Sequence, residues 1–248
     1  MKKLFAMALM LVCLTASADD FDLSLTNENG MEAATPIIND DDPEGPASGV
    51  VISDGGDDDC LTMHVNVGVD IPTNTGNIDF APFRSWEIGW TLLQYDYNLS
   101  GTNSTLSAGL GVDWRNYTLS GHENMFTKVG DVVGVYPETT KDDLVSRVST
   151  FAISVPLLYQ YRFNKSFALS VGGVVNFNVL GKIHNYYDLG DDEYYITTKK
   201  IGHNPVTVDL MGIVHLAGIG IYCKYSPMKV FKTDRGPEFK SLSVGLYF

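Results

Sequence analysis

From Phe151 to Phe163 every second residue is large and apolar: Phe151, Ile153, Val155, Leu157, Tyr159, Tyr161 and Phe163. Side chains alternate between the two faces of a strand, so this run predicts an extended segment with one wholly apolar face. The opposite face carries Thr150, Ala152, Ser154, Pro156, Leu158, Gln160 and Arg162. The last ten residues, FKSLSVGLYF, repeat the pattern, with Leu242, Val244, Leu246 and Phe248 opposite Ser241, Ser243, Gly245 and Tyr247. A closing strand that ends on an aromatic residue is expected where a barrel meets the lipid boundary.

Six further segments alternate in the same way. In chain order the first strand spans Leu61 to Asp70, with Leu61, Met63, Val65, Val67 and Val69 apolar against Thr62, His64, Asn66, Gly68 and Asp70. The second runs from about Arg84 to Tyr97 and changes phase after Leu92, which predicts a bulge. The third, Ser104 to Tyr117, sets Leu106, Ala108, Leu110, Val112 and Trp114 against Ser107, Gly109, Gly111, Asp113 and Arg115. After the Phe151–Phe163 strand and a turn at Asn164-Lys165-Ser166 comes a fifth from Phe167. The sixth shows Val206, Val208, Leu210 and Val214, the seventh Ile219, Ile221, Cys223 and Tyr225. Connections alternate too. Long stretches at 71–83, 118–147, 184–205 and 227–238 alternate with tight turns near Gly101, Lys165 and Ala217. The expected fold is all-β: an eight-stranded antiparallel up-and-down transmembrane β-barrel over residues 61–248.

Alternation does not say which face points inward, and a soluble barrel would bury the apolar one. A soluble exterior is rich in Lys and Glu, whereas the polar positions here are mostly Gly, Ser, Thr, Ala and Asn. These fit a narrow lumen, so the apolar face is expected to meet lipid. Aromatic residues then mark its two rims, Tyr159, Tyr161, Phe163 and Phe167 at one and Trp86, Trp114 and Tyr225 toward the other.

Upstream, Lys2 and Lys3 precede an apolar run from Leu4 to Leu14 and the small residues Ala16-Ser17-Ala18, which reads as a cleaved signal peptide over residues 1–18. A lipoprotein reading through Cys13 is disfavoured by Val12 before it. Residues 19–60 hold thirteen Asp or Glu and no Lys or Arg, a composition expected of an acidic disordered periplasmic leader. Asp40, Asp42, Glu44 and Gly45 echo the start of a calcium loop, but Val51 stands where its twelfth-position Glu belongs. No metal or cofactor is expected. Cys60 and Cys223 are expected as free thiols, on strands separated by the eighth.

The segments SVPLLYQYRF, FALSVGGVVNF, IYCKYSPMKVFK and SLSVGLYF resemble the PorT-type outer-membrane β-barrel domain proteins. That resemblance covers about residues 61–248 and implies a small barrel of the Gram-negative outer membrane. It implies no catalytic residues.

His122, Glu123 and Asp131 share the longest loop and His203 precedes the sixth strand, but no spacing joins them to a nucleophile, and solvated surface is the expected role. His64 and His215 point inward by phase. Lys199-Lys200 is too small a basic patch for nucleic acid. A turn centred between Leu216 and Ala217 would set Asp209 opposite Lys224, and one centred on Gly101 would set Glu87 opposite Arg115, with Asp113 beside them. Such pairs would close the lumen. The expected role is structural or interactive and not enzymatic, with long loops displayed outside. The expected partners are outer-membrane lipid, the barrel assembly machinery during insertion, and an extracellular or periplasmic protein. A narrow porin-like channel and a barrel hydrolase acting at the outer leaflet are the alternatives.

Overall fold

The structure, a computed structural model, describes residues 50–52, 60–99, 101–190, 192–216 and 218–248, with side chains from Leu61 onward. The expectations for the signal peptide, for the leader up to residue 49, for a calcium loop at Asp40 and for the Cys60 thiol lie outside what is described.

Among the described residues there are twelve strands: β1 Val50–Ile52, β2 Cys60–Thr73, β3 Trp86–Asn98, β4 Ser104–Thr118, β5 Asn124–Val129, β6 Val132–Pro137, β7 Asp142–Asn164, β8 Phe167–Leu189, β9 Asp192–Lys199, β10 Val206–Leu216, β11 Ile219–Ser226 and β12 Lys240–Tyr247. Eight of them close a ring in the order β2, β3, β4, β7, β8, β10, β11, β12, with β12 pairing back onto β2 and every pairing antiparallel. Closure leaves no strand edge in the ring, the only way a sheet can sit in hydrocarbon. The last ring bonds run both ways between Val65 and Phe248, at 2.9 and 2.8 Å.

Alternation explains the burial directly. On β7 and β10 the outward residues Leu157 and Leu210 are 53% and 59% exposed, while inward Asp209 and, on β3, Glu87 are 0% exposed. Apolar residues lie outside and charges inside, the reverse of a water-soluble barrel. From Phe151 to Phe163, at about 3.4 Å per residue and about 40° of tilt, the apolar row rises about 30 Å, the thickness of a bilayer's hydrocarbon core. The aromatic residues pack at its ends: Trp86 meets Trp114 edge to face at 5.5 Å, while Tyr161 meets Phe163 at 4.9 Å and Phe163 meets Phe167 at 5.1 Å. The phase change on β3 is a bulge between Thr91 and Leu93.

The structure departs from the sequence reading in four places. The 118–147 stretch is not an open loop: β5 and β6 form a hairpin across Gly130-Asp131, and β7 begins at Asp142. Residues 184–205 likewise continue β8 to Leu189 and return as β9 along it. Here the strands outrun the apolar band because the ladder needs no lipid, only a partner strand. Val50–Ile52, expected within a disordered leader, pairs with Leu61–Met63. Since that part of β2 already bonds β3 on one edge, β1 occupies the β12 side. Fourthly, Leu216 pairs with Ile219, so Lys224 falls opposite Met211, not Asp209. Gly218 takes φ +87°, a conformation open to glycine, and this sets the turn one residue later than expected.

Candidate functional site

The lumen is filled in layers. At the end with the tight turns, Asp96 accepts from Thr62 Oγ1 at 2.7 Å and from Gln94 Nε2 at 2.8 Å, and Ser170 Oγ lies 2.8 Å from His215 Nε2. Above it lies a small apolar cluster, Leu158, Val174, Met211, Ile213, Tyr222 and Tyr247. Strand phase brings these residues inward together, and the mostly small polar residues around them leave room.

The third layer is charged. Arg115 on β4 reaches three carboxylates: Glu87 through Nε at 3.2 Å, and Asp113 and Asp209 through Nη2 at 3.0 and 2.5 Å. Lys224 on β11 bonds Asp113 Oδ2 at 2.5 Å and also Glu87. Because β4 and β11 stand opposite each other in the ring, the Lys224–Asp113 contact crosses the lumen. Neutral donors add to these ion pairs. Asn176 Nδ2 donates to Asp209 at 2.6 Å, Asn66 Nδ2 to Glu87 at 3.0 Å, and Ser243 Oγ reaches Glu87 Oε2 at 2.5 Å. Asp70, fully buried, accepts from the Ser241 hydroxyl at 2.5 Å, and the single Ser243 hydroxyl lies between Asp70, at 2.6 Å, and Glu87. Burying charge is costly unless it is paired and hydrogen-bonded. Arg115 and Lys224 pair Glu87, Asp113 and Asp209, whereas Asp70 is held by hydroxyls, and Asp70 Oδ2, Asp113 Oδ1 and Asp209 Oδ1 have no hydrogen-bond partner among the described residues.

All five residues marked from the sequence as interior charges, Glu87, Asp113, Arg115, Asp209 and Lys224, therefore meet in one network. Their connections differ from the two register pairs. Asp209 is held by Arg115 and Asn176, and Lys224 by Asp113 and Glu87. Sequence reasoning missed Asp70, Asn66, Asn176 and the two serines, although each lies on the inward phase of its strand.

The fourth layer is apolar and lies where β4, β7 and β8 rise past the Trp86–Trp114 level. Tyr117, Leu119, Phe126, Val133, Val148, Ile183, Ile201, Phe231 and Phe239 form one core, with Phe80 against it. Phe126 and Val133 come from the β5–β6 hairpin, Phe231 and Phe239 from the β11–β12 connection. The hairpin thus folds over the lumen mouth. Ser146 Oγ accepts from the Phe126 amide at 2.9 Å, and Arg235 pairs with Asp131 at 2.8 Å, its guanidinium hydrogen bond holding that carboxyl below the usual range. Of the loop histidines, His122 donates from Nδ1 to the Leu144 carbonyl at 2.9 Å and His203 from Nε2 to the Asn178 carbonyl at 3.1 Å. Both act as clips between segments. Among the described residues, no three His, Cys, Asp or Glu side chains converge to hold a metal ion.

Voids of about 20 Å³ lie in the lumen beside Asp113 and Lys224 and beside Asp96 and His215. Each has room for about one water molecule.

These features define a class: a closed eight-stranded barrel with an apolar exterior and a lumen largely filled by side chains. No family model and no curated protein matches the chain, so the resemblance to PorT-type barrels rests on the short segments alone. Among solved structures it is similar to Ail, the attachment invasion locus protein of Yersinia pestis, at 9% identity and TM-score 0.33, over 76% of this chain and 97% of that one. A second Ail structure, in complex with the heparin analogue sucrose octasulfate, gives 11% identity and TM-score 0.30 over the same shares. At these values the likeness decides nothing about role, and the barrel is read from its own strand pairing.

Proposed function

We propose that the protein is an integral outer-membrane barrel with a structural or interaction role, neither a channel nor an enzyme. The observation that carries this reading is the inversion itself. Leucine, valine and aromatic side chains line the outside at bilayer height, while Glu87, Asp113, Arg115, Asp209 and Lys224 bond one another across the inside. A closed antiparallel barrel with short turns at one end and long connections at the other is the architecture of Gram-negative outer-membrane proteins. Export through a cleaved signal over residues 1–18 and insertion by the barrel assembly machinery fit the same reading. With the lumen filled, what the molecule offers its surroundings is the surface built by β5, β6, β9 and the upper parts of β7 and β8.

All three tryptophans, Trp86, Trp90 and Trp114, lie on the outward face. Reconstituted into vesicles whose acyl chains carry bromine, the folded protein should lose most of its tryptophan emission. Unquenched emission from folded, vesicle-bound protein would overturn the membrane-spanning reading.

A further inference from the structure

The ring strands leave no free edge, but β9 has one. Among the described residues its backbone bonds β8 alone, from Lys182–Lys199 to Leu189–Asp192, and its residues are exposed except Thr198, which is half-buried. Such an edge is a ready template for another strand, and natural proteins blunt it with charges, bulges or proline. Here the centre, Tyr194-Tyr195-Ile196-Thr197, carries none of these and has high strand propensity.

The pattern along the edge says what would fit it. Residues 192–200 read DEYYITTKK, acidic at the start and basic at the end. An antiparallel copy of the same strand, centred on Ile196, places Glu193 opposite Lys199, twice over by symmetry. Backbone parity agrees. The two-residue turn makes Leu189–Asp192 a hydrogen-bonded pair, so residues 192, 194, 196 and 198 face β8, and 193, 195, 197 and 199 present their amides and carbonyls to the free edge. In the Ile196-centred register Glu193 meets Lys199 and Tyr195 meets Thr197 as hydrogen-bonded pairs, each between outward-facing residues.

We propose that β9 docks with β9 of a second copy of this chain in that register, as an isologous two-fold pair. An antiparallel pair is related by an axis perpendicular to its strands. An axis along the barrel would leave the axial component of β9 unreversed, so the two barrels point in opposite directions. Resting on the outer-membrane reading above, this places the second copy in a facing membrane, and β9 becomes a homophilic contact between two membranes.

The test uses the full chain with Cys13→Ser, Cys60→Ser and Cys223→Ser, folded in detergent micelles. Ile196→Cys lies on the two-fold axis as a non-hydrogen-bonded pair, about 4.5 Å between Cα atoms, and should oxidise to a covalent dimer. Tyr194→Cys faces Thr198 of the other copy and should not. With Ile196→Cys present, Glu193→Lys or Lys199→Glu alone should cut linking about tenfold or more through opposed like charges. Mixing those two variants should restore it, as should combining both changes in one chain. Absence of Ile196→Cys linking, or a mixture that links no better than its components, overturns the pairing. Vesicles carrying wild-type protein should cluster and those carrying Glu193→Lys should not; linking in detergent without vesicle clustering overturns the facing arrangement. Tryptophan quenching by brominated lipid is measured on the same samples. Protein that inserts but does not link refutes this pairing alone, and protein that does not insert refutes the membrane reading.

Discussion

Lys224 is buried, 3% exposed, with two carboxylates within bonding reach. Replacing it with methionine fills similar volume but leaves Glu87 and Asp113 to share Arg115, which already serves Asp209. Removing one partner from an enclosed pair costs about 3–5 kcal/mol. Lys224→Met should lower unfolding stability in urea by that amount, and an unchanged midpoint would remove the network's structural role. At the opposite extreme, Asp131 and Arg235 are exposed and matter locally. The Asp131 carboxyl is held below its usual range by Arg235, so the pair is intact above the ordinary carboxylate pKa of about 3.9 and is lost as pH falls through the lowered value. After correction for intrinsic rates, hydrogen exchange at the Val133 amide, which bonds the Arg235 carbonyl at 2.9 Å, should quicken in that acid window. Asp131→Asn should abolish the pH dependence.

Single residues also show how far the sequence could be read. Glu87 does stand opposite Arg115, yet two departures cancel to put it there: the β3–β4 turn centres half a residue beyond Gly101, and the bulge at Leu92 takes one residue out of register. Nothing cancels at Ala217-Gly218, and Asp209 moves two places from Lys224. Turn centres are set by backbone dihedrals that composition shows only weakly. Inward phase was legible along most of the ring, because lipid on one side and a filled lumen on the other enforce it, but not at Val179 on β8, where the register shifts and the phase changes.

Among the elements, the β5–β6 hairpin was legible in principle. Gly130-Asp131 between Val129 and Val132 is a two-residue hairpin turn between apolar flanks, and Gly130 takes φ +61°. Its strands lie outside the apolar band, so the lipid-driven pattern that marked the ring strands does not reach them, and only the cap shows why Phe126 is apolar. Phe126→Ala should cost about 3–5 kcal/mol through the cavity left against Phe80 and its neighbours, while the heat-modifiable gel shift of the folded barrel persists. A loss of that shift would mean that the cap is needed for the ring to form. At the seam, Phe248 exchanges two backbone bonds with Val65, and unpaired backbone in hydrocarbon costs several kcal/mol per group. Deleting Phe248 should lower folded yield more than deleting Ser120 does. Equal yields would show that the seam is held by Lys240–Tyr247 alone.

For the molecule as a whole, the charged layer bridging β4 to β11 and the apolar cap above it close the same path twice. Eight strands enclose a space that side chains can fill, and voids of about 20 Å³ in it hold about one water each. The central claim is that this barrel spans a membrane without conducting through it, leaving its outer surface as the part that acts. Planar-bilayer recording on the purified, inserted protein tests it directly: the wild type should show no steady conductance, and a stable, reproducible single-channel current from the folded wild-type barrel would contradict the account.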